Sequence, residues 1–484
     1  MEQGMFVPTS KTGSAIQAVI DEAHGAGGGV VFLSAGNYTL DSALHLKSNV
    51  SLVGVGEATV LTMSGPVDQA KNRNFIELEG GSTAAAHDIK ISKLAIRGPG
   101  STTDLEQDVS DTPVKGCGIL ASDREVRNVV IRACRIERVS GCGIFFHSPA
   151  PKAQRMKDIV IEDCRLYDNK RPAEGARPGN NIENGLDAYK DIVFKGLEFE
   201  NIRIEGNVCS FAPTQTNAYG NDSGIAFVEN SDLNTGFVRN VRLVGNACSG
   251  HRRHGLATNY DTLDADWVFV SDNRCENNGW MGIYINTDTK QAAGARMVVS
   301  GNYCCNNGFV GNDVGGAASI RGGIVVNDAD NLVLSNNICM DNGKPGPAFT
   351  EHGVVAETSA DHASGIRIRG KKVMVEGNLV QGNRGSGVSM WPGRASEVSI
   401  VNNRAVQNTR KGIEVIGVPG VPGVPAHQVV VMGNLCTGNG EQGLHISSTQ
   451  SGLVASNYVA NNGISKIFKD GSSANVSVQA NVDA

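Results

Sequence analysis

Short alternations of apolar and polar residues recur down the chain in a two-part unit. The first part is a Gly followed by alternating apolar residues: GILAS at 118, GIFFH at 143, GIAFV at 224, GLATN at 255 and GIYIN at 282. It continues as GIVVN at 323, GIRIR at 365, GVSMW at 387, GIEVI at 412 and GLHIS at 443. The second part is a β-branched segment ending in Asn and a small residue, as in VRLVGNAC (241–248), VFVSDNRC (268–275) and MVVSGNYC (297–304). Period-two alternation over four to six residues predicts short strands with one buried face. The repeat of about 22–30 residues is too short and too rich in β-formers for helical repeats. A unit that cannot bury its own apolar face must stack on its neighbours. The pattern therefore predicts an all-β fold, a right-handed parallel β-helix of about ten or more coils with matching strands about 4.8 Å apart.

Near the N-terminus the period changes. Ser14 to Gln17 fits a capping box, and Ile16, Val19, Ile20 and Ala23 predict an amphipathic helix ending at Gly25. The expected organisation is a capping helix plus first strand over 1–45, a β-helix with inserted loops over 46–463 and a closing segment over 464–484. Loops are expected at 98–116, 168–190, 211–222, 305–321, 343–364 and 417–426. Asn207, Asn246, Asn273, Asn302, Asn337, Asn378, Asn403, Asn434 and Asn457 recur at one place in the unit. Asn tolerates the left-handed backbone of a sharp corner, and stacked Asn side chains hydrogen-bond between coils. Cys134, Cys164, Cys209, Cys248, Cys275, Cys304, Cys339 and Cys436 follow the β-branched segments, which predicts an interior column of small apolar side chains.

Composition sharpens this picture. The 484 residues include 60 Gly, because a Gly opens nearly every coil, and 11 Cys, an odd number that argues against a disulfide framework. CxxC-like spacing with nearby His is absent, so no metal site is expected. The formal charge of −6 argues against a nucleic-acid partner held by its phosphates. No apolar run approaches the length of a membrane-spanning helix, so no membrane insertion is expected. The opening MEQGMFVPTSKTG lacks the charged-then-apolar pattern of a signal peptide.

Candidate chemistry lies on the outward positions of the glycine-led strands. Odd offsets from each Gly are apolar and point inward, so even offsets are expected to face solvent and line up in columns. His147, Val228, Asn259, Asn286, Asn327, Arg369 and Trp391 share one column, and Glu229, Asp261, Asp288 and Asp328 follow it. Tyr284 and Arg367 lie alongside, and Arg253 and His254 precede the coil at 255. Acids, imidazoles, guanidiniums and aromatics thus converge between about residues 115 and 395. Tyr260, Tyr284 and Trp391 supply faces for sugar rings, and a long groove on a solenoid suits a polymer. Like charges on adjacent coils predict a raised pKa for one carboxyl of the Asp261–Asp288 pair.

The segment GSAIQAVIDEAHGAGGGVVFLSAGNYTL with LVGVGEATVL (52–61) resembles the opening of pectate-lyase-like β-helix proteins. Within that superfamily the chain resembles the catalytic modules of mannuronan C5-epimerases. Lys115 stands three residues before Gly118, His147 lies near the end of SGCGIFFHS (140–148), Glu229 lies near the end of GIAFVEN on the following coil, and Arg253-His254-Gly255 opens the next. Around His147 this chain has Cys142, Phe145 and Ser148, and Val228 occupies the place that matches the acid. A looser resemblance to polygalacturonases rests on Asn286-Thr287-Asp288 and Arg367-Ile368-Arg369-Gly370-Lys371.

The first resemblance implies abstraction of the C5 proton of a uronate, as a lyase or an epimerase. His147, Arg253, His254, Asp261 and Asp288 are the catalytic candidates. Lys115, Glu229, Tyr260, Tyr284, Asp328, Arg367, Arg369 and Trp391 are the substrate-binding candidates. The alternatives are a glycoside hydrolase using paired Asp on adjacent coils and a non-catalytic glycan-binding solenoid. The expected partner is a polysaccharide or oligosaccharide, and the polymer substrate points to an extracellular location. No cofactor is required, although Asp261, Asp288 and Asp328 are compatible with calcium. Oligomeric state stays open, with a trimer of β-helices among the options.

Overall fold

The structure is a computed structural model that describes residues 4–65, 70, 73–79, 85–99, 115–122, 124–148, 154–169, 190–211, 223–229, 236–259, 264–286, 296–309, 321–347, 350, 363–390, 396–417, 426–464, 466–471, 473 and 475–483. The predicted loops lie largely outside these residues. The chain divides into two compact units, Met1–His251 and Arg252–Ala484. Each is a right-handed parallel β-helix built from three sheets whose neighbouring strands belong to successive coils. In the second unit one coil runs through His254–Asn259, Asp264–Ser271 and Arg274–Glu276, and the next through Met281–Asn286, Met297–Ser300 and Tyr303–Cys305. The sheets are termed glycine, long and short in that order.

Register explains the repeat. Leu256, Ile283, Ile324, Ile366, Val388, Ile413 and Leu444 stand opposite one another along the glycine sheet, and each is buried. In the first unit Phe146, Phe194 and Phe227 stack at 4.8 Å between centroids, with Phe199 edge-on. The repeated Gly is dictated by close approach at the corner. A Cβ on Gly282 would sit 2.7 Å from the Gly323 carbonyl oxygen and 2.9 Å from Asn307 Nδ2.

The predicted asparagine column is present, with two corrections. First, the ladder residue is not the left-handed one. That role falls to the residue before it, such as Gly206, Asp272, Gly301, Asn336 and Asn402. The ladder Asn is selected for its amide. Asn337 Nδ2 donates to Asn378 Oδ1 at 3.0 Å and to the Val299 carbonyl at 2.9 Å, and its own Oδ1 accepts from the Asn302 backbone and side chain. Second, a parallel ladder unread in the sequence occupies the other corner, running through Asn278, Asn307, Asn342, Asn383, Asn408, Asn439 and Asn462.

All eleven cysteines are free and buried, but the eight expected to share one column are divided between two. Cys209 pairs with Cys248, and Cys275, Cys304 and Cys339 align, in the middle of the short sheet. Cys134 and Cys164 instead occupy the ladder corner. Cys164 N donates to Asn207 Oδ1, and the two thiols reach back to the Ile91 and Ile131 carbonyls as an Asn amide would.

The helix Gly13–Gly25 buries Ile16, Val19, Ile20 and Ala23 as predicted. Its N-cap is Thr12 rather than Ser14, because Thr12 Oγ1 accepts from Ala15 N. Gln17 is drawn elsewhere, pairing with both backbone polar groups of His45 and so fixing the helix over the first coil. At the other end Ile467–Lys469, Asn475–Gln479 and Val482–Asp483 extend the three sheets by a further coil.

The ladder makes a quantitative demand. Asn337→Ala leaves several buried backbone partners unmet and is expected to cost about 2–4 kcal/mol in denaturant unfolding. Ser335→Ala, on the outer face two residues earlier, is expected to change stability by less than about 0.5 kcal/mol.

Candidate functional site on the outer face of the glycine sheet

A coil hidden from the sequence pattern changes the first unit. Strand Ile144–His147 pairs with Lys190–Gly196, which in turn pairs with Ser223–Glu229. Glu229 is therefore two coils from His147, not one, and the side chain of Glu229 lies outside the description. The intervening coil has no leading Gly. Asp191 stands there instead, buried, accepting from Asn169 Nδ2 at 2.9 Å and pairing with His251 Nε2 at 3.1 Å. The residue opposite His147 is Lys195.

The outer face of this sheet in the first unit is not the solvent-facing groove that alternation predicts. Leu120, Phe145 and Val193 point outward by register, yet they join Cys117 and Cys142 in a second buried apolar cluster. His147 sits against it, 5.2 Å from the Phe145 ring, 5% exposed, with Nδ1 3.3 Å from Ser122 Oγ. Lys115 is half-buried, and its carbonyl backs onto Gly141.

In the second unit the same face is polar. Outward residues follow one ladder: Ala257, Tyr284, Val325, Arg367, Ser389, Glu414, His445 and Phe468. Two groups stand on it. The first holds His254, 8% exposed, stacked on Tyr284 at 5.1 Å and 22° and edge-on to Trp280 at 5.8 Å. Arg253 lies over the Trp280 ring at 4.5 Å. This brings together three sequence candidates, Arg253, His254 and Tyr284, around an aromatic residue that sequence reading passed over.

The second group was missed. Glu414 accepts from Ser389 at 3.2 Å and Ser386 at 3.3 Å, is hydrogen-bonded by Lys411, and has His445 Nδ1 at 3.6 Å. Lys411 also faces Glu441 at 3.8 Å. Burial pushes the Glu414 carboxyl up, but His445 and Lys411 together hold it down at about 2. Burial pulls the Arg367 guanidinium down to about 9, opposed by the charge of Glu414. The offset that singled out Tyr284 and Arg367 also gives Glu414 and His445 when counted from Gly412 and Gly443.

Other candidates are dispersed. Asp328 is buried and ion-paired to Arg369 at 2.9 Å. Asn286 accepts from Asn327 at 3.0 Å, a short ladder rather than a pair of open ligands. Tyr260, Asp261, Asp288 and Trp391 lie outside the described residues. Among the described residues no three His, Cys, Asp or Glu side chains come together as a metal site.

The buried Glu414 predicts a defined acid response. Its folded pKa lies below the ordinary 4.5, so its stabilisation is complete above pH 4.5 and is lost as the pH falls towards about 2. Unfolding across that window should lose roughly 3 kcal/mol. Glu414→Gln should be destabilised already at neutral pH and lose less stability than the unaltered protein across that window, the remaining loss coming from carboxyls such as Glu137, read by urea titration at each pH.

The chain has relatives of known name. A family model described as periplasmic copper-binding protein (NosD) matches residues 289–478. Alginate lyase 7 of Azotobacter vinelandii is 32% identical over 163 residues, 32% of this chain and 18% of the lyase. Mannuronan C5-epimerase AlgE3 of the same organism is 32% identical over 167 residues, 32% of this chain and 8% of the epimerase. The chain thus matches under a fifth of the length of these relatives. Among solved structures, the catalytic unit of a GH87 α-1,3-glucanase from Streptomyces thermodiastaticus superposes with a TM-score of 0.51 at 14% identity, covering 100% of this chain and 69% of that one. This last likeness is one of fold. In sequence the chain is similar to mannuronan C5-epimerases and an alginate lyase, over about a third of its own length.

Proposed function

We propose that the protein is a carbohydrate-active enzyme that abstracts the C5 proton of a uronate in a polysaccharide, as a lyase or an epimerase. The observation that carries this reading is the His254–Tyr284 stack with Arg253 beside it, on the outer face of a continuous parallel sheet. The sequence likeness to an alginate lyase and to mannuronan epimerases supports the substrate class.

The chemistry needs three services. A cation close to the uronate carboxylate stabilises the enediolate that forms when C5 is deprotonated, and Arg253 supplies it. An imidazole takes the proton, a task suited to His254 near neutral pH. The electron pair left at C5 passes into the carboxylate. From there a proton returned to the opposite face gives the C5 epimer. Alternatively the C4–O4 bond breaks, a 4,5 double bond forms, and the Tyr284 phenol protonates the departing oxygen. The hydrolase alternative draws less support, since the described acid Asp328 is engaged by Arg369.

Incubation with polymannuronate and polygalacturonate separates the outcomes. Absorbance near ~235 nm reports the double bond of elimination, and solvent deuterium at C5 reports epimerisation. His254→Ala is expected to reduce either signal by at least about 100-fold, with Tyr284→Phe losing elimination more than deuterium uptake. Asp288→Asn is expected to leave both signals largely intact. New reducing ends without a double bond, abolished by Asp288→Asn and spared by His254→Ala, would refute this assignment. His147→Ala tests the other imidazole, and a loss confined to that variant would move the base to the first unit.

A further inference from the structure

The outer face of the long sheet differs between the units in a way that the glycine-sheet site does not explain. In the first unit charges stand among valines at the outward positions: one column reads Lys90, Val130, Val160, Arg203 and Arg242, and the other includes Arg132, Glu162 and Glu205. These charges pair with one another, Arg203 to Glu205 at 2.8 Å and Arg132 to Glu162 at 3.4 Å. In the second unit the corresponding column reads Phe269, Val298, Val333, Met374, then Ser399, then Val430 and Leu453. The column beside it is made of small or apolar residues, among them Ser300, Ser335, Val401 and Met432, with Glu376 as its single charge. Met374 and Met432 are 40% and 42% exposed.

One edge of the patch holds Trp267, 44% exposed and at φ 56°. The equivalent strand position elsewhere is filled by Asn240, Asn331, Lys372, Glu397 and Gln428. A bulky aromatic in the left-handed region is a strained arrangement. It is kept there with Arg296 over its ring at 4.2 Å and Arg296 paired to Asp266 at 2.7 Å. An exposed Trp beside an Arg at the edge of an apolar field matches the composition of interface hot spots.

We infer that this face is an interface with a second copy of the chain. Coil spacing makes the apolar column about 30 Å long and the outward width about 17 Å, roughly 500 Å² per copy. A two-fold pair would bury roughly 1,000 Å², the lower limit for a specific interface and the size of a weak, reversible one. A two-fold axis sets the same column against itself, and with so little charge on the face this juxtaposition meets no like-charge penalty. The exposed Lys372, Glu397 and Gln428 supply the polar rim. Aliphatic rows on a flat pleated face interdigitate with a like sheet as in a β-sandwich core. A glycan would call for a row of aromatic rings, and the apolar column has one, Phe269.

Sedimentation velocity over a concentration series is expected to show a reversible monomer–dimer equilibrium. Val333→Glu with Val430→Glu should weaken it by at least about tenfold, while Lys90→Glu on the charged part of the sheet leaves it unchanged. In the unaltered protein, hydroxyl-radical oxidation of Met374 and Met432 should fall as concentration rises, while that of Met5, 69% exposed, stays constant. A monomer at every concentration would overturn the inference, as would a dimer that persists in the folded double variant. Co-sedimentation of a monomer with insoluble polysaccharide, lost on the same double substitution, would also overturn it and assign the face to glycan.

Discussion

Everything on the surface of this protein depends on how one coil is held to the next. Strand pairing fixes the flat sides of each coil, but the corners leave buried backbone groups that no strand can satisfy. The side-chain amide of Asn meets this need because a single planar group accepts from and donates to the preceding coil and also donates to the Asn of the following one. Two such ladders run side by side through the second unit. They keep adjacent coils in register over many repeats, and register in turn makes outward side chains form straight columns. A site on such a scaffold is assembled from residues that are distant in sequence yet share one offset.

The first unit continues the ladder through Asn207 and Asn246 but meets the same requirement at two earlier coils with other chemistry. Cys134 and Cys164 substitute a thiol for the amide, a weaker donor but one that also packs as a small apolar group. Elsewhere in the first unit Asn169 bonds to Asp191, and Asp191 to His251, all of them nearly or wholly buried. A buried carboxylate is tolerable there only because it is bonded on both sides. Glu414 in the second unit follows the same rule with four partners, and burial that would otherwise neutralise it is overcome.

The glycine sheet therefore has two characters. In the first unit its outer face is an apolar cluster around Phe145 with His147 at the border. In the second it carries imidazole, phenol, guanidinium and carboxylate groups along one ladder. The long sheet shows the reverse trend, charged in the first unit and apolar in the second. Because the interior is nearly uniform, these outer faces are where the sequence of one coil departs from that of another.

The architecture is legible in the sequence alone, since a Gly followed by period-two aliphatics and a β-branched run can bury its apolar face only by stacking. The sequence also reveals the helix and the inward Cys. It did not show the coil at Lys190–Gly196, because Asp191 replaces the marker Gly and only strand pairing exposes the substitution. Nor did it show which outward residues meet water. Leu120 and Phe145 occupy positions that alternation assigns to solvent, and only tertiary packing buries them. The same is true of chemistry: His254 and Tyr284 are thirty residues apart and become a stacked pair through register alone, and Glu414 meets His445 on the coil that follows its own. Periodicity is a local property of the chain, whereas burial and charge pairing depend on what the neighbouring coil presents.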